Sequence, residues 1–250
     1  MTANGDTRID VLMVSRSLAA SRTEAQRLIT GGSVTVDGET ITKANKRLPD
    51  ACVVAVSANA LDAYVSRGGN KLAAALTDFN IDPKGCECLD IGISTGGFTD
   101  CLLQHGAVRV IGIDVGHGQL HPRLADDPRI ELREGINARL ITREDFPICF
   151  SLITVDVSFI SLTYVLPQLR QLLTPAGDLI CLIKPQFEVG FGNLGKNGVV
   201  VDASQRWQAC SKVHLCAAQV GLSVISSIVS PIVGGEGNIE FLSHFKITQK

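Results

Sequence analysis

The chain has no uninterrupted apolar run near the roughly twenty residues that a membrane-spanning helix needs, so no such helix and no membrane partner are expected. Proline is scarce, 9 residues against 24 glycines, which argues against collagen-like and proline-rich disordered chains. Charge of either sign is nearly balanced, at −2 overall. That excludes a bulk polycation, so any contact with nucleic acid must come from a local patch or a recognisable module. The eight cysteines contain no CxxC pair, and no zinc or other metal site is expected. Most of them sit in apolar runs, where free cysteine behaves as a small hydrophobe. Cys86 and Cys88 alternate onto one face of a strand and read as core. The polar start, Met-Thr-Ala-Asn-Gly-Asp, does not read as a secretory signal, and a reduced, cytoplasmic protein is the expectation.

The 250 residues, 45% hydrophobic, suffice for a large domain and a smaller one. Residues 1–60 read as a small α+β module. A short amphipathic segment starts at Arg8, and Ser21-Arg-Thr-Glu24 is a capping box that opens a second helix, stopped by Gly31-Gly32. Asp37-Gly38 between Val34-Thr-Val36 and Glu39-Thr-Ile41 predicts a hairpin, and Cys52–Val56 a closing strand. The module carries seven Lys/Arg against six Asp/Glu, so its bulk charge does not announce RNA. Placement is more informative: Arg8, Arg16, Arg22, Arg27, Lys43, Lys46 and Arg47 lie around the helix pair and hairpin, which suits either an RNA-facing patch or a solvated surface. Residues 61–66 read as a linker.

From Arg67 onward, strands and helices alternate. Strands are predicted at Cys86–Ile91, Val108–Asp114, Ser151–Asp156, Asp178–Ile183, Leu222–Val229 and Glu240–Ile247; helices at Phe98–His105, Leu162–Leu173 and Ala203–Val220. This is the pattern of an α/β, doubly wound, Rossmann-like sheet over residues 67–250, with ligands expected at the carboxyl ends of its strands.

Two constellations carry chemistry. Asp90-Ile-Gly92-Ile-Ser94-Thr95-Gly96-Gly97-Phe98 joins a strand to a helix, where glycines let a ligand approach backbone N–H groups. A dinucleotide would want glycine where Ser94 stands. An acid at the first strand's end, Asp90, suits a cation and would repel a pyrophosphate, which favours S-adenosylmethionine. Asp114 ends the second strand, where a ribose-binding acid is expected for either ligand. The second constellation is Lys71, expected just before a helix that packs on the sheet, with Asp156, Lys184 and Glu240. Asp156 and Lys184 close two apolar strands, which is costly unless they are paired or functional, so they read as a structural ion pair or as part of a site. Beside a methyl donor, lysines can act as base or alkoxide stabiliser, and acids orient them.

Six segments, in one order over nearly the whole chain, carry a resemblance. They are Tyr64-Val-Ser-Arg-Gly-Gly-Asn-Lys-Leu72, Leu89-Asp-Ile-Gly-Ile-Ser-Thr-Gly-Gly-Phe-Thr-Asp100 and Gly112-Ile-Asp-Val-Gly-His-Gly-Gln-Leu120, followed by Val155-Asp-Val-Ser-Phe-Ile-Ser-Leu162, Ile183-Lys-Pro-Gln-Phe-Glu-Val-Gly190 and Gly237-Asn-Ile-Glu-Phe-Leu242. The sequence resembles the TlyA-type (haemolysin-A-type) ribosomal RNA 2′-O-methyltransferases. The first module is similar to the small RNA-binding domain that this family shares with a ribosomal protein and pseudouridine synthases. The resemblance implies a methyltransferase sheet whose last strand runs antiparallel, S-adenosylmethionine as cofactor, and ribosomal RNA within ribosomal subunits as partner, usually at cytidines. It implies a catalytic tetrad at Lys71, Asp156, Lys184 and Glu240. It places donor contacts at Asp90, Gly92, Ser94, Thr95, Gly96, Gly97, Phe98, Asp114, Val115, Gln119 and Asn137, and RNA contacts at Arg8, Arg22, Arg27, Lys43 and Arg67. Ile93 stands where the family often has alanine, and its bulk is expected to crowd the loop. A non-catalytic RNA-binding or ribosome-assembly factor and a haemolysin are the alternative readings.

Overall fold

A computed structural model describes residues 6–19, 21–30, 33–56 and 63–248; the side chains of Glu24, Arg27, Phe191 and Lys196 lie outside the described set. The chain divides into two units, Met1–Ala63 and Tyr64–Lys250.

In the first unit, strand β1 (Asp6–Arg8) leads into helix α1 (Ile9–Ser15), and α2 (Arg22–Thr30) follows. Strands β2 (Val34–Val36) and β3 (Glu39–Ile41) form the expected hairpin. Its two turn residues, Asp37 and Gly38, both have positive φ, the requirement of a two-residue turn that matches strand twist. β4 (Arg47–Pro49) pairs with β1, a ladder too short to leave a periodic signal, and β5 (Val54–Val56) completes a three-stranded sheet against β2. Ile9, Leu12, Met13, Ala25, Leu28 and Ile29 from the helices pack on Val34, Val36 and Ile41 as one core.

The second unit is a seven-stranded sheet. Its strands are β6 (Glu87–Ile91), β7 (Arg109–Asp114), β8 (Ile130–Glu134), β9 (Phe150–Val155), β10 (Leu173–Ile183), β11 (Leu222–Val229) and β12 (Phe241–Ile247). The order is β11-β12-β10-β9-β6-β7-β8. Pairings within β8-β7-β6-β9-β10 are parallel, and β12 runs antiparallel between β10 and β11. Strand alternation sorts the side chains into two cores. Leu89, Ile91, Ile153, Val155 and Cys181 face one side, with Leu166 and Leu169 of α5 (Leu166–Arg170) and Val213 and Ala217 of α6 (Ala203–Gln219). Cys88, Val110, Leu152, Ile180 and Leu182 face the other, under Leu72 and Leu76 of α3 (Arg67–Phe79) and Leu102 of α4 (Gly97–Gln104). Helices thus cover both faces, and the chain crosses over at β6, which puts a crevice at the carboxyl ends of β6, β7 and β9.

Three expectations change. The helix expected over Leu162–Leu173 is a 3-10 turn at Leu162–Tyr164 followed by the five-residue α5; Pro167 lies inside the segment, and Leu173 already belongs to a strand. Lys71, expected just before a helix, lies within α3. Residues 64–66, expected as linker, pack on the second unit: Val65 is 4% exposed and donates its N–H to Asp100 at 2.7 Å. Residues 61 and 62 lie outside the described residues. Among the described residues no helix is long and apolar enough to cross a membrane.

Candidate active site

Register places three charged residues at one end of the sheet's central strands, and α3 brings a fourth. Ile183 pairs with Phe241, so Lys184 and Glu240, one residue beyond each, stand opposite one another. Asp156 follows Val155 on the neighbouring strand, and its N–H extends the ladder to the Ile91 carbonyl at 2.9 Å. Lys184 Nζ lies 2.6 Å from Asp156 Oδ1 and donates to Ser158 Oγ at 2.9 Å. Lys71 reaches the same end from α3 and donates to Glu240 Oε2 at 2.6 Å. This second pair is almost fully buried, with Glu240 2% and Lys71 9% exposed. Removing one partner of such a pair leaves a buried charge without compensation. Gly234 packs directly on the Glu240 carboxylate, where a Cβ would overlap it. Glu236, a few residues earlier, is exposed and plays no part in the pair.

A cleft of about 590 Å³ opens beside Asp156. Of the residues expected at a cofactor, Gly92, Ser94, Asp114, Val115, Gln119 and Asn137 line it. Gly92 has φ of +84°, and its Cα faces the Asp156 carbonyl so closely that no side chain fits. Asp114 accepts the N–H of Ser94 at 2.9 Å and of Gly116 at 2.7 Å, one on each oxygen. Ser94 Oγ donates to Gln119 Oε1 at 2.9 Å. The glycine turn and the loop after β7 are thereby locked together around one carboxylate.

Asp90 is a correction. Because Leu89 and Ile91 face the other core, Asp90 points toward α4 and is fully buried. Its two oxygens accept the hydroxyls of Thr99 at 2.7 Å and Thr154 at 2.9 Å. Burial pushes its pKa up to about 6, against the opposing pull of the threonine hydrogen bonds. Asp90 therefore braces the turn from beneath rather than facing a ligand's cation. Gly96, Gly97 and Phe98 are likewise buried outside the cleft lining: Gly97 abuts Ser66 and Gly69, and Phe98 abuts Gly68, which packs α4 on α3. Thr95 is exposed but does not line the cleft. Ile93 does not crowd the loop; it is 3% exposed and occupies the space that Gly112 leaves on β7.

Sequence reasoning missed the far wall. Ser158, Phe159 and Arg139 line the cleft. Phe159 is 92% exposed, has φ of +63°, and lies 5.1 Å from the Phe187 ring. The Arg139 guanidinium stacks over Tyr164 at 4.7 Å. An aromatic in the left-handed region leaves no mark in a sequence.

In the first unit, Asp10 is fully buried and gathers Arg8, Arg22 and Gln26. Arg8 donates through Nε at 3.0 Å and Nη2 at 2.9 Å, Arg22 at 3.2 Å and Gln26 at 2.7 Å. The Arg8 hydrogen bonds hold the Asp10 carboxyl well below the usual carboxylate range. Lys43 is exposed, and Arg67 starts α3 half-buried in the second unit. The Arg27 side chain lies outside the described residues. Arg16 donates to the Cys52 carbonyl at 2.7 Å and Arg47 to that of Asp6 at 3.0 Å, so both tie their own unit together.

A mostly parallel sheet with one antiparallel strand beside its last parallel one, a glycine turn after the central strand and an acid ending the next define a Rossmann-like methyltransferase fold. Residues 64–247 match the FtsJ-like methyltransferase family, and residues 7–50 match the S4 domain, an RNA-binding module. The chain is 42% identical over 234 residues to the 16S/23S rRNA (cytidine-2′-O)-methyltransferase TlyA of Mycobacterium tuberculosis, covering 94% of this chain and 87% of that one. It is 40% identical to Hemolysin A of Brachyspira hyodysenteriae, over 96% of this chain and 100% of the relative. A solved Streptococcus thermophilus chain that carries the hemolysin name superposes with a TM-score of 0.77 at 39% identity, over 99% of this chain and 90% of that one. The chain belongs to the TlyA family of FtsJ-like methyltransferases, as its six motifs imply, and is an enzyme of the methyltransferase class.

Proposed function

We propose that this protein transfers a methyl group from S-adenosylmethionine to the ribose 2′-hydroxyl of a cytidine in ribosomal RNA, acting on ribosomal subunits in the cytoplasm. The observation that carries the reading is the meeting of Lys184–Asp156 and Lys71–Glu240 at one end of the sheet, beside an acid-lined cleft. The cleft fits that donor. Asp114 and Asp156 both line it, a poor environment for a pyrophosphate and a good one for a molecule with a sulfonium and an ammonium. Each Asp114 oxygen already takes one backbone N–H and keeps a lone pair for a ribose hydroxyl. Gly92, Ser94, Gln119 and Asn137 complete the residues that would hold the donor. When bound, it supplies an activated methyl group.

A ribose hydroxyl is a weak nucleophile near neutral pH, so the protein's task is to hold it and stabilise the charge that develops on its oxygen. Lys184 is the group for this. Asp156 and Ser158 fix its Nζ from two sides, so it need not reorganise as the hydroxyl proton passes to solvent and negative charge gathers on the oxygen. Lys71, tethered by Glu240, places a second cation at the same end. Phe159, exposed at the cleft, offers an aromatic face to the nucleotide, which must leave its stack to be reached. The S4 domain, with Arg8 and Arg22 gathered on Asp10, supplies RNA contact that bulk charge does not.

The test is transfer of labelled methyl from S-adenosylmethionine to ribosomal subunits lacking the modification. Label is expected at a ribose oxygen, and Lys184→Ala is expected to lower turnover by about 10²–10⁴ with donor affinity kept. Near-normal turnover by Lys184→Ala would remove the lysine from its role. Subunits that stay unlabelled by the wild type would refute the activity.

A further inference from the structure

We propose that Glu188 is a positioning residue: its buried carboxylate straps the loop after Asp156 to the loop after Lys184 and so sets the geometry of the Lys184–Asp156 pair. The purpose assigned to that geometry rests on the methyltransferase reading; the strap itself does not.

Glu188 closes a 3-10 turn, Pro185–Phe187, that leaves β10 directly after Lys184. The residue is 5% exposed, yet it is an acid at the end of an apolar stretch, a costly placement unless its oxygens are satisfied. They are satisfied by the opposite loop. Oε2 accepts the Ser161 hydroxyl at 2.5 Å, and Oε1 accepts the Leu162 N–H at 2.8 Å. Ser161 in turn accepts the Thr163 N–H at 3.2 Å, so the strap also starts the 3-10 turn Leu162–Tyr164.

The two loops therefore meet three times: Lys184 with Asp156 and Ser158 at the cleft, Phe159 with Phe187 beyond it, and Glu188 with Ser161 and Leu162 in the interior. Between the first and the last stands Phe159, in a backbone conformation that bulky residues rarely adopt. Such a residue persists only where its flanks are fixed. The N-terminal flank is fixed by the Asp156 N–H on the Ile91 carbonyl, and the C-terminal flank by Glu188. Without the carboxylate, segment 157–162 can relax, and Ser158 and Phe159 move with it.

The competing role for Glu188 is charge pairing with Lys212 on α6, whose Nζ lies 3.4 Å from the carboxylate and donates to the Glu188 backbone carbonyl at 2.8 Å, a bond that does not depend on the glutamate side chain. That lysine is 48% exposed, and a half-exposed pair at this distance contributes little. The short, charge-assisted bonds to Ser161 and Leu162 are the stronger claim.

The experiment compares Glu188→Ala, Glu188→Gln, Ser161→Ala and Lys212→Met with the wild type, in the full chain. Amide hydrogen exchange without added ligand is the first measurement. Glu188→Ala is expected to raise exchange in 157–164 and 184–190 together, by about tenfold to a hundredfold, with β6 and β7 unchanged. Labelled-methyl transfer and calorimetric titration with S-adenosylmethionine are the second. Glu188→Ala is expected to lower kcat by about a hundredfold, because a small misplacement of reacting groups has that cost, with donor Kd within about twofold. Glu188→Gln, which keeps an acceptor for the Leu162 N–H, is expected to recover most of that loss, and Ser161→Ala to show a partial one. The strap is overturned if exchange rises in one segment alone, if kcat is untouched by Glu188→Ala, or if Lys212→Met loses as much kcat as Glu188→Ala. A wild type that transfers no methyl while both segments still loosen together in Glu188→Ala refutes the methyltransferase reading and leaves the strap standing.

Discussion

Asp90 makes stability respond to pH through its burial. Its carboxyl is pushed up to about 6 from an ordinary value of 3.8 because burial in the core penalises the charge more than the hydrogen bonds from Thr99 and Thr154 favour it. The folded chain therefore binds this proton more tightly than the unfolded one. The stabilisation is fully present below about pH 4 and is lost as pH rises through 6, a change of about 3 kcal/mol. Asp90→Asn has no such proton. Urea unfolding of both proteins should show the variant gaining on the wild type by about 2–3 kcal/mol between pH 4 and pH 7; parallel pH profiles would contradict the burial argument. Gly234 is the second informative residue. A methyl group there overlaps the Glu240 carboxylate, which must turn from Lys71. Gly234→Ala should lower kcat for methyl transfer by about tenfold to a hundredfold while donor affinity, measured calorimetrically, stays near the wild type.

At the scale of elements, the site depends on how closely α3 and α4 approach. Gly97 opens α4 directly against Ser66 and the backbone of Gly69, and Gly68 lies against Phe98. The contact brings Lys71, two residues beyond Gly69, to that end of the sheet. Gly97→Ala must displace the Ser66 hydroxyl and crowd the backbone of Gly69, an overpacking that costs about 1–3 kcal/mol. The prediction is a lower thermal midpoint together with impaired methyl transfer, since both follow from one displacement. Unchanged calorimetric melting would show that the helices have room to spare. β6 and β7 show the same economy of space: Gly112 leaves the room that Ile93 fills, which is why a residue bulkier than the family's usual alanine leaves the cleft open.

For the whole molecule, a net charge of −2 means that RNA affinity cannot come from the average field. It must come from local groups, and Asp10 shows how the first unit concentrates them. One buried carboxylate holds Arg8 and Arg22, whose side chains remain 37% and 57% exposed. Replacing both arginines with alanine should weaken RNA binding and reduce the slope of log K against log salt by about 0.7–0.9 for each phosphate that is no longer neutralised. Filter binding across a salt series measures this; an unchanged slope would place the RNA-facing cations elsewhere. The two units also differ in kind. The first holds one small core, whereas the second holds two cores on the faces of one sheet, so the residues at its strand ends are positioned by the longest-range pairings in the chain.

The amino-acid pattern alone determined the class of fold, the order of most elements and the hairpin turn, because these depend on periodicity and on local backbone preferences that neighbouring residues settle among themselves. It also nominated Asp156, Lys184 and Glu240, since charged residues at the ends of apolar strands stand out, and Lys71 through the segment Tyr64–Leu72 that carries the family resemblance. Tertiary structure decided what those residues touch. Lys71 and Glu240 are 169 positions apart and meet only because β12 inserts beside β10. It also decided which polar groups turn away. Strand parity sends Asp90 into the core, and a partner on another loop draws Glu188 inward. Proline and a neighbouring strand broke the helix expected over Leu162–Leu173, and a left-handed backbone set Phe159 at the cleft. Local sequence fixes which conformations are cheap, but the direction of a side chain across a sheet depends on contacts between segments far apart in the chain.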